Sequence, residues 1–204
     1  NAQNRVPVGV VLLHDDYSPP TGVYYLRQGA FSQFNGRRLV AATRGDVDRD
    51  IARSFPTTRV RMEDAPDAGY WRATLDTTVA LLADHNRPFA LEAPVELRPE
   101  PNPDPRRFKR LYRVTSSALI ADYTSMLGMP VGDVRWSDEV LRHYTEAPED
   151  PRYGELAERI IAELPDDMKE DRDARALAVT GYLSREGTYS LRSRHADADH
   201  TPSL

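Results

Sequence analysis

Four side chains able to take a divalent ion, His195, Asp197, Asp199 and His200, fall close together in RHADADH near the end of the chain. Imidazole and carboxylate are both metal ligands, but ligands must converge. No helix or strand is predicted here to hold these four on one face, so they are expected to face solvent without metal. LHDDY, from Leu13 to Tyr17, sets His14 beside Asp15 and Asp16 just ahead of Pro19-Pro20, and reads as a strand end and turn. His85 lies in the loop sequence ADHNRP, with nothing nearby in sequence to suggest a base. His143 lies in WSDEVLRHYTEAPEDP, where Ser137 and the pattern after it predict a short helix with Trp136 and Leu141 packed inward. A catalytic His143 would require a nucleophile. The chain has no cysteine and no Gly-x-Ser-x-Gly elbow, and its glycines form no phosphate-cradling loop. The sequence therefore assigns no catalytic, cofactor-binding or metal-binding residue.

Composition narrows the class. Apolar residues make up 40% of the 204 and charged residues 29%, values that suit a chain with a proper core. The net charge of −5 argues against a nucleic-acid partner, which a basic face or stripe would announce. Without cysteine there is no disulfide framework and no thiolate metal site. No stretch approaches the roughly 20 apolar residues of a membrane span. VPVGVVLL, from Val6 to Leu13, is too short and lacks the flanks of a signal peptide. The leading Asn1-Ala2 reads as the scar of a cleaved tag.

Two periods divide the chain. Residues 3–122 read as a β-rich domain, expected to form an antiparallel β-sandwich or partly open barrel. Asn35-Gly36 stands between strand-like runs and predicts a hairpin tip, because both residue types tolerate positive φ. Strand content is expected from Val23, Tyr24, Tyr25, Phe31 and Phe34 before it, and from Leu39 and Val40 after it. Further strands are predicted over Tyr70–Leu82, Phe89–Pro99 and Phe108–Ile120. Their faces are sketched by Trp71, Ala73 and Leu75, and by Leu111 and Val114. RPEPNPDPRR, from Arg98 to Arg107, holds four prolines and must be a loop.

Residues 123–149 read as a connection with a short helix, and residues 150–204 as helical. Tyr153, Leu156, Ala157, Ile160, Ile161 and Leu164 recur at spacings of three and four, giving one helical stripe capped by Asp150 with Pro151 in its first turn. A second helix is predicted from Asp171 to Glu186, with Ala174, Leu177, Ala178, Gly181 and Tyr182 as its stripe. Gly187 is expected as a left-handed stop, followed by an extended Thr188–Leu191.

This helical end resembles the approach to a bacterial transglutaminase-like core. The resemblance rests on Leu156, Ala157 and Ile160, then Ala176, Ala178, Tyr182 and Leu183, then Tyr189, Ser190 and Leu191. A looser likeness to the region preceding that core is carried by Tyr25, Phe34, Asn35, Gly36 and Leu39, with Asn35 and Leu39 standing where the pattern has aspartate and tryptophan. The resemblance implies a papain-like core with a Cys-His-Asp triad whose cysteine forms a thioester with an acyl donor. It places that triad beyond Leu204. It also implies an α+β fold and a non-catalytic N-terminal region that scaffolds or gates the core. The implied partners are the downstream core of the same chain and a protein or peptide substrate, with no cofactor. The implied location is the extracytoplasmic side of a membrane-anchored bacterial protein. The rival expectation is a self-contained β-sandwich protein-binding module with a helical appendage.

Overall fold

The computed structural model describes residues 7–36, 38–67, 69–129, 132–147 and 149–187. The fold is α+β, as the change of period predicts. In chain order the strands are β1 (Gly9–Leu13), β2 (Leu26–Arg27), β3 (Gln33–Phe34), β4 (Leu39–Val40), β5 (Val60–Arg61), β6 (Arg72–Leu81), β7 (Ala90–Leu91), β8 (Ala93–Pro99) and β9 (Arg110–Leu119). The helices are α1 (Asp138–Thr145), α2 (Pro151–Ala162) and α3 (Arg172–Glu186), preceded by a single 3-10 turn at Tyr123–Met126. The predicted Thr188–Leu191 extension and the His195–His200 group lie outside the described residues. Among the described residues no helix is long and apolar enough to cross a membrane.

The chain forms two compact units. One comprises residues up to Ala30 together with Arg44–Asp122, and the other comprises Phe31–Thr43 together with the chain from Tyr123. The first is built on an antiparallel sheet in the order β1-β6-β9-β8-β5. Its centre is the ten-residue ladder between β6 and β9, which runs from Arg72 opposite Leu119 to Leu81 opposite Arg110. Alternation then decides the faces. Leu75, Thr77, Val79 and Leu81 of β6 share one face with Tyr112, Val114, Ser116 and Ala118 of β9, and all eight are buried. Val11, Phe55, Met62 and Phe89 close over this core from outside the ladder. Leu111 and Val114, read together from the sequence, fall on opposite faces: Leu111 pairs with Ala80 and Val114 with Thr77. An odd separation along a strand always divides faces.

Tyr112 fastens the core. Its hydroxyl accepts from the Phe89 N–H at 2.7 Å and donates to the Phe89 carbonyl at 3.0 Å. Burial pushes the phenol far above its ordinary pKa, so it stays a donor at every working pH. Just beyond Phe89, Glu92 takes a positive φ of 53°. That kink releases β7 to pair with β2, while β8 continues against β9. From Glu100 on the proline-rich stretch is a loop between β8 and β9, pinned by Asn102 Nδ2 donating to the Phe108 carbonyl at 2.8 Å, but its first two residues, Arg98 and Pro99, end β8 and pair with Arg113 and Tyr112.

The Asn35-Gly36 hairpin forms, joining β3 to β4 through four residues rather than two. Asn35 Oδ1 accepts from the Arg38 N–H at 2.9 Å, and Gly36 takes φ +86°. The flanking strands are shorter than predicted. Val23, Tyr24, Tyr25 and Phe31 lie outside strands and are exposed, because no neighbouring strand pairs with that stretch.

The helices begin where predicted. Ser137, Asp150 and Asp171 are N-caps, accepting from the N–H groups of Val140, Arg152 and Ala174. In α1 the buried residue is Val140, whereas Leu141 is 42% exposed. The apolar line runs Trp136, Val140, Tyr144 at a spacing of four, and the Trp136 and Tyr144 rings lie 4.9 Å apart. In α2 the predicted stripe is turned inward, with Ile160 buried, and α2 packs on α3. In α3 Ala174 is buried, although Leu177 is exposed. Gly187 does end α3 but with φ −76°, an extended cap. Glycine is needed there for space: a Cβ would collide with the Leu183 carbonyl oxygen.

Two substitutions test this packing. Tyr112→Phe leaves the Phe89 N–H unpartnered in the core and should cost about 1–3 kcal/mol in denaturant unfolding; an unchanged midpoint would refute the fastening role. Ile160→Asp places a charge at the α2 contact and should cost on the order of 3–5 kcal/mol. An unchanged melting temperature would show that this stripe is not an interior one.

Candidate functional site

The densest meeting of polar side chains lies on the face of the sheet opposite the core. β6 contributes Asp76 and Thr78 there, and β9 contributes Arg113 and Thr115, by the pairings Asp76 with Thr115 and Thr78 with Arg113. β8 adds Arg98, directly opposite Arg113. Two guanidiniums facing each other across a ladder repel. Asp76 sits diagonal to Arg113 and answers that repulsion. Its Oδ2 accepts from Arg113 Nη2 at 3.0 Å and its Oδ1 from the Thr115 hydroxyl at 2.6 Å. The Thr115 bond, aided by Arg113 and the field of Arg98, holds the Asp76 carboxyl below the usual carboxylate range.

The LHDDY segment meets this network. The His14 N–H donates to the Asp76 carbonyl at 3.0 Å, continuing the β1–β6 ladder by one residue. His14 Nε2 lies 2.8 Å from Thr78 Oγ1, and Asp15 Oδ2 accepts from the Asp76 N–H at 2.6 Å. His14, Asp15 and Asp16 thus stand at a strand end, as read from sequence, with the first two tying β1 to β6. An ionised carboxylate saturated by an arginine and a threonine is a poor proton acceptor, so the arrangement is one of fixed charge rather than acid–base chemistry.

The other histidines are placed separately. His85 packs its ring 5.0 Å from Phe89, and its Nδ1 lies 3.5 Å from Gln28 Nε2. His143, in the last turn of α1, has Nε2 3.1 Å from Ser32 Oγ. This is the distance of a nucleophile and its base, yet among the described residues no carboxylate forms an ion pair with any histidine to complete a triad. No group of three or more metal-ligating side chains occurs among the described residues either. Sequence reading passed over Asp76, Arg113 and Thr115. Their signal was present in RATLDTTVAL and RLYRVTSSAL, where a carboxylate and a guanidinium occupy the off-core positions of two apolar strands. No protein-family description, curated protein or solved structure matches the chain.

The network carries a pH signature. The Asp76 pKa is lower in the folded chain than in the unfolded one, whose carboxyl titrates near about 3.9. Its stabilisation is therefore fully present above about pH 4 and is lost as pH falls through the folded value. Asp76→Asn should lower the melting temperature at neutral pH, and the gap from the parent should close on acidification. Adding Arg98→Gln should recover part of the loss. A gap that stays constant down to about pH 2 would show that the Asp76 charge is not what matters.

Proposed function

We propose that this chain is a non-catalytic region of a transglutaminase-like protein, where it scaffolds or gates a Cys-His-Asp core. The supporting observation is the capped α2–α3 pair. Of the residues that carry the resemblance, Leu156, Ala157 and Ile160 lie along the inward stripe of α2, and on α3 Ala178 and Tyr182 are half-buried while Ala176 and Leu183 are exposed. In this reading the pair is the lead-in to the core, and the sheet unit is the scaffold. The chain lacks the nucleophile itself, since it contains no cysteine. The ties of His14 to Thr78, His85 to Phe89 and His143 to Ser32 fit structural duties.

Two measurements test the proposal. Incubated with a glutamine-donor peptide and a primary amine, the purified chain should release ammonia only at background rate. Release above background would overturn the non-catalytic role. The reading frame that encodes the chain should specify a Gly-x-Cys turn soon after Leu204, and its absence would overturn the family assignment.

A further inference from the structure

A second feature belongs to the first unit alone and is independent of the transglutaminase-like reading. Beside β5, at the edge of the sheet, opens a cavity of about 570 Å³. That volume is within the range of ligand sites, roughly 300–1,000 Å³. Its floor is apolar: Ile51 and Leu97 are buried, and Met62 packs on the same core. Arg49 lines one wall, but its charge is used in ion pairs with Glu63 and Asp64. Asp46, also lining, is paired with Arg44. Arg53 and Arg61 are different. Both line the cavity, both are exposed, and neither has a hydrogen-bond or ion-pair partner among the described residues. In a chain of net charge −5, two uncommitted guanidiniums over an apolar floor are a local inversion of charge.

The edge adds direction. β5 is an outermost strand, paired only with β8 through Val60 opposite Leu97 and Arg61 opposite Glu96, with the Met62 N–H donating to the Val95 carbonyl at 2.9 Å. An outermost strand offers backbone groups on its open side to an extended segment. We propose that this cavity binds an acidic peptide in extended conformation, its carboxylates held by Arg53 and Arg61 and an intervening apolar side chain resting on Ile51, Met62 and Leu97. Alternation along an extended chain puts acidic and apolar side chains on opposite sides, so the arginines take the rim and the apolar residue the floor. Guanidinium matches carboxylate geometry, and a fork of this kind gives both energy and orientation.

The test is a fluorescence-polarisation titration of the whole chain with a labelled peptide Glu-Leu-Glu-Val, its Gln-Leu-Gln-Val counterpart, and inorganic phosphate as competitor. The acidic peptide should bind saturably, more weakly as salt is raised, and the glutamine peptide should not bind. Arg53→Gln and Arg61→Gln should each weaken binding about tenfold with melting temperatures unchanged, while Arg106→Gln, in the proline-rich loop, should leave it unaltered. Equal binding of the two peptides would overturn the proposal, as would indifference to both arginine substitutions. Phosphate binding as tight as the peptide would reduce the site to a simple anion pocket and overturn the peptide assignment. No binding at all would leave the arginines as charges that guard a sheet edge, and would likewise overturn it.

Discussion

The pairing of β6 with β9 is the constraint from which the first unit follows. Ten residues of each strand are locked in register, and a slip of one residue would turn every core side chain outward. Once that register holds, Val79 meets Tyr112 and Thr77 meets Val114 on the inner face, while Asp76 meets Thr115 on the outer. The inner face receives Leu97 from β8 and Val11 from β1, and the Tyr112 hydroxyl reaches across to the Phe89 backbone. The core and the polar network are thus two readings of one ladder. The same alternation that buries Val114 sets Arg113 beside Asp76.

The outer network shows how a sheet tolerates like charges at a directly opposed position. Arg98 and Arg113 face each other, an arrangement that costs stability unless a counter-charge intervenes. Asp76 is that counter-charge, and it is held ionised by the same contacts it relieves. Elsewhere on β9 polar atoms go unpaired. The hydroxyls of Ser116 on the inner face and Ser117 on the outer are buried without hydrogen-bond partners, whereas Thr77 on the inner face finds the Val114 carbonyl at 3.3 Å.

Much of the architecture was legible in local signals. Capping residues Ser137, Asp150 and Asp171 announced three helix starts because a cap is a local hydrogen bond. The strands over β6, β8 and β9 followed from their composition, and Pro101, Pro103 and Pro105 announced the loop between the last two, while Pro99 closes β8. What failed was what depends on partners. Tyr24 and Tyr25 have strand propensity, but a strand needs a neighbour, and only Leu26 and Arg27 find one in β7. Leu141 is a good core residue by type, yet Val140 is the one buried, and the Trp136 ring lies against that of Tyr144. The Asp76 network was hidden for the same reason. Its members lie far apart in sequence, and only strand register brings them together.

The hairpin of β3 and β4 has a consequence for how the chain is made. It belongs with the helical unit, although the larger part of the sheet unit, Arg44–Asp122, lies between them in sequence. During synthesis Ser32 leaves the ribosome well before His143, its hydrogen-bond partner, and must wait while the entire β6–β9 ladder is completed. Completing that unit therefore closes a loop across a sequence separation of 111 residues. For the same reason the two units cannot be separated by a single cut: a chain ended at Asp122 keeps an orphaned hairpin, and one begun at Tyr123 lacks it.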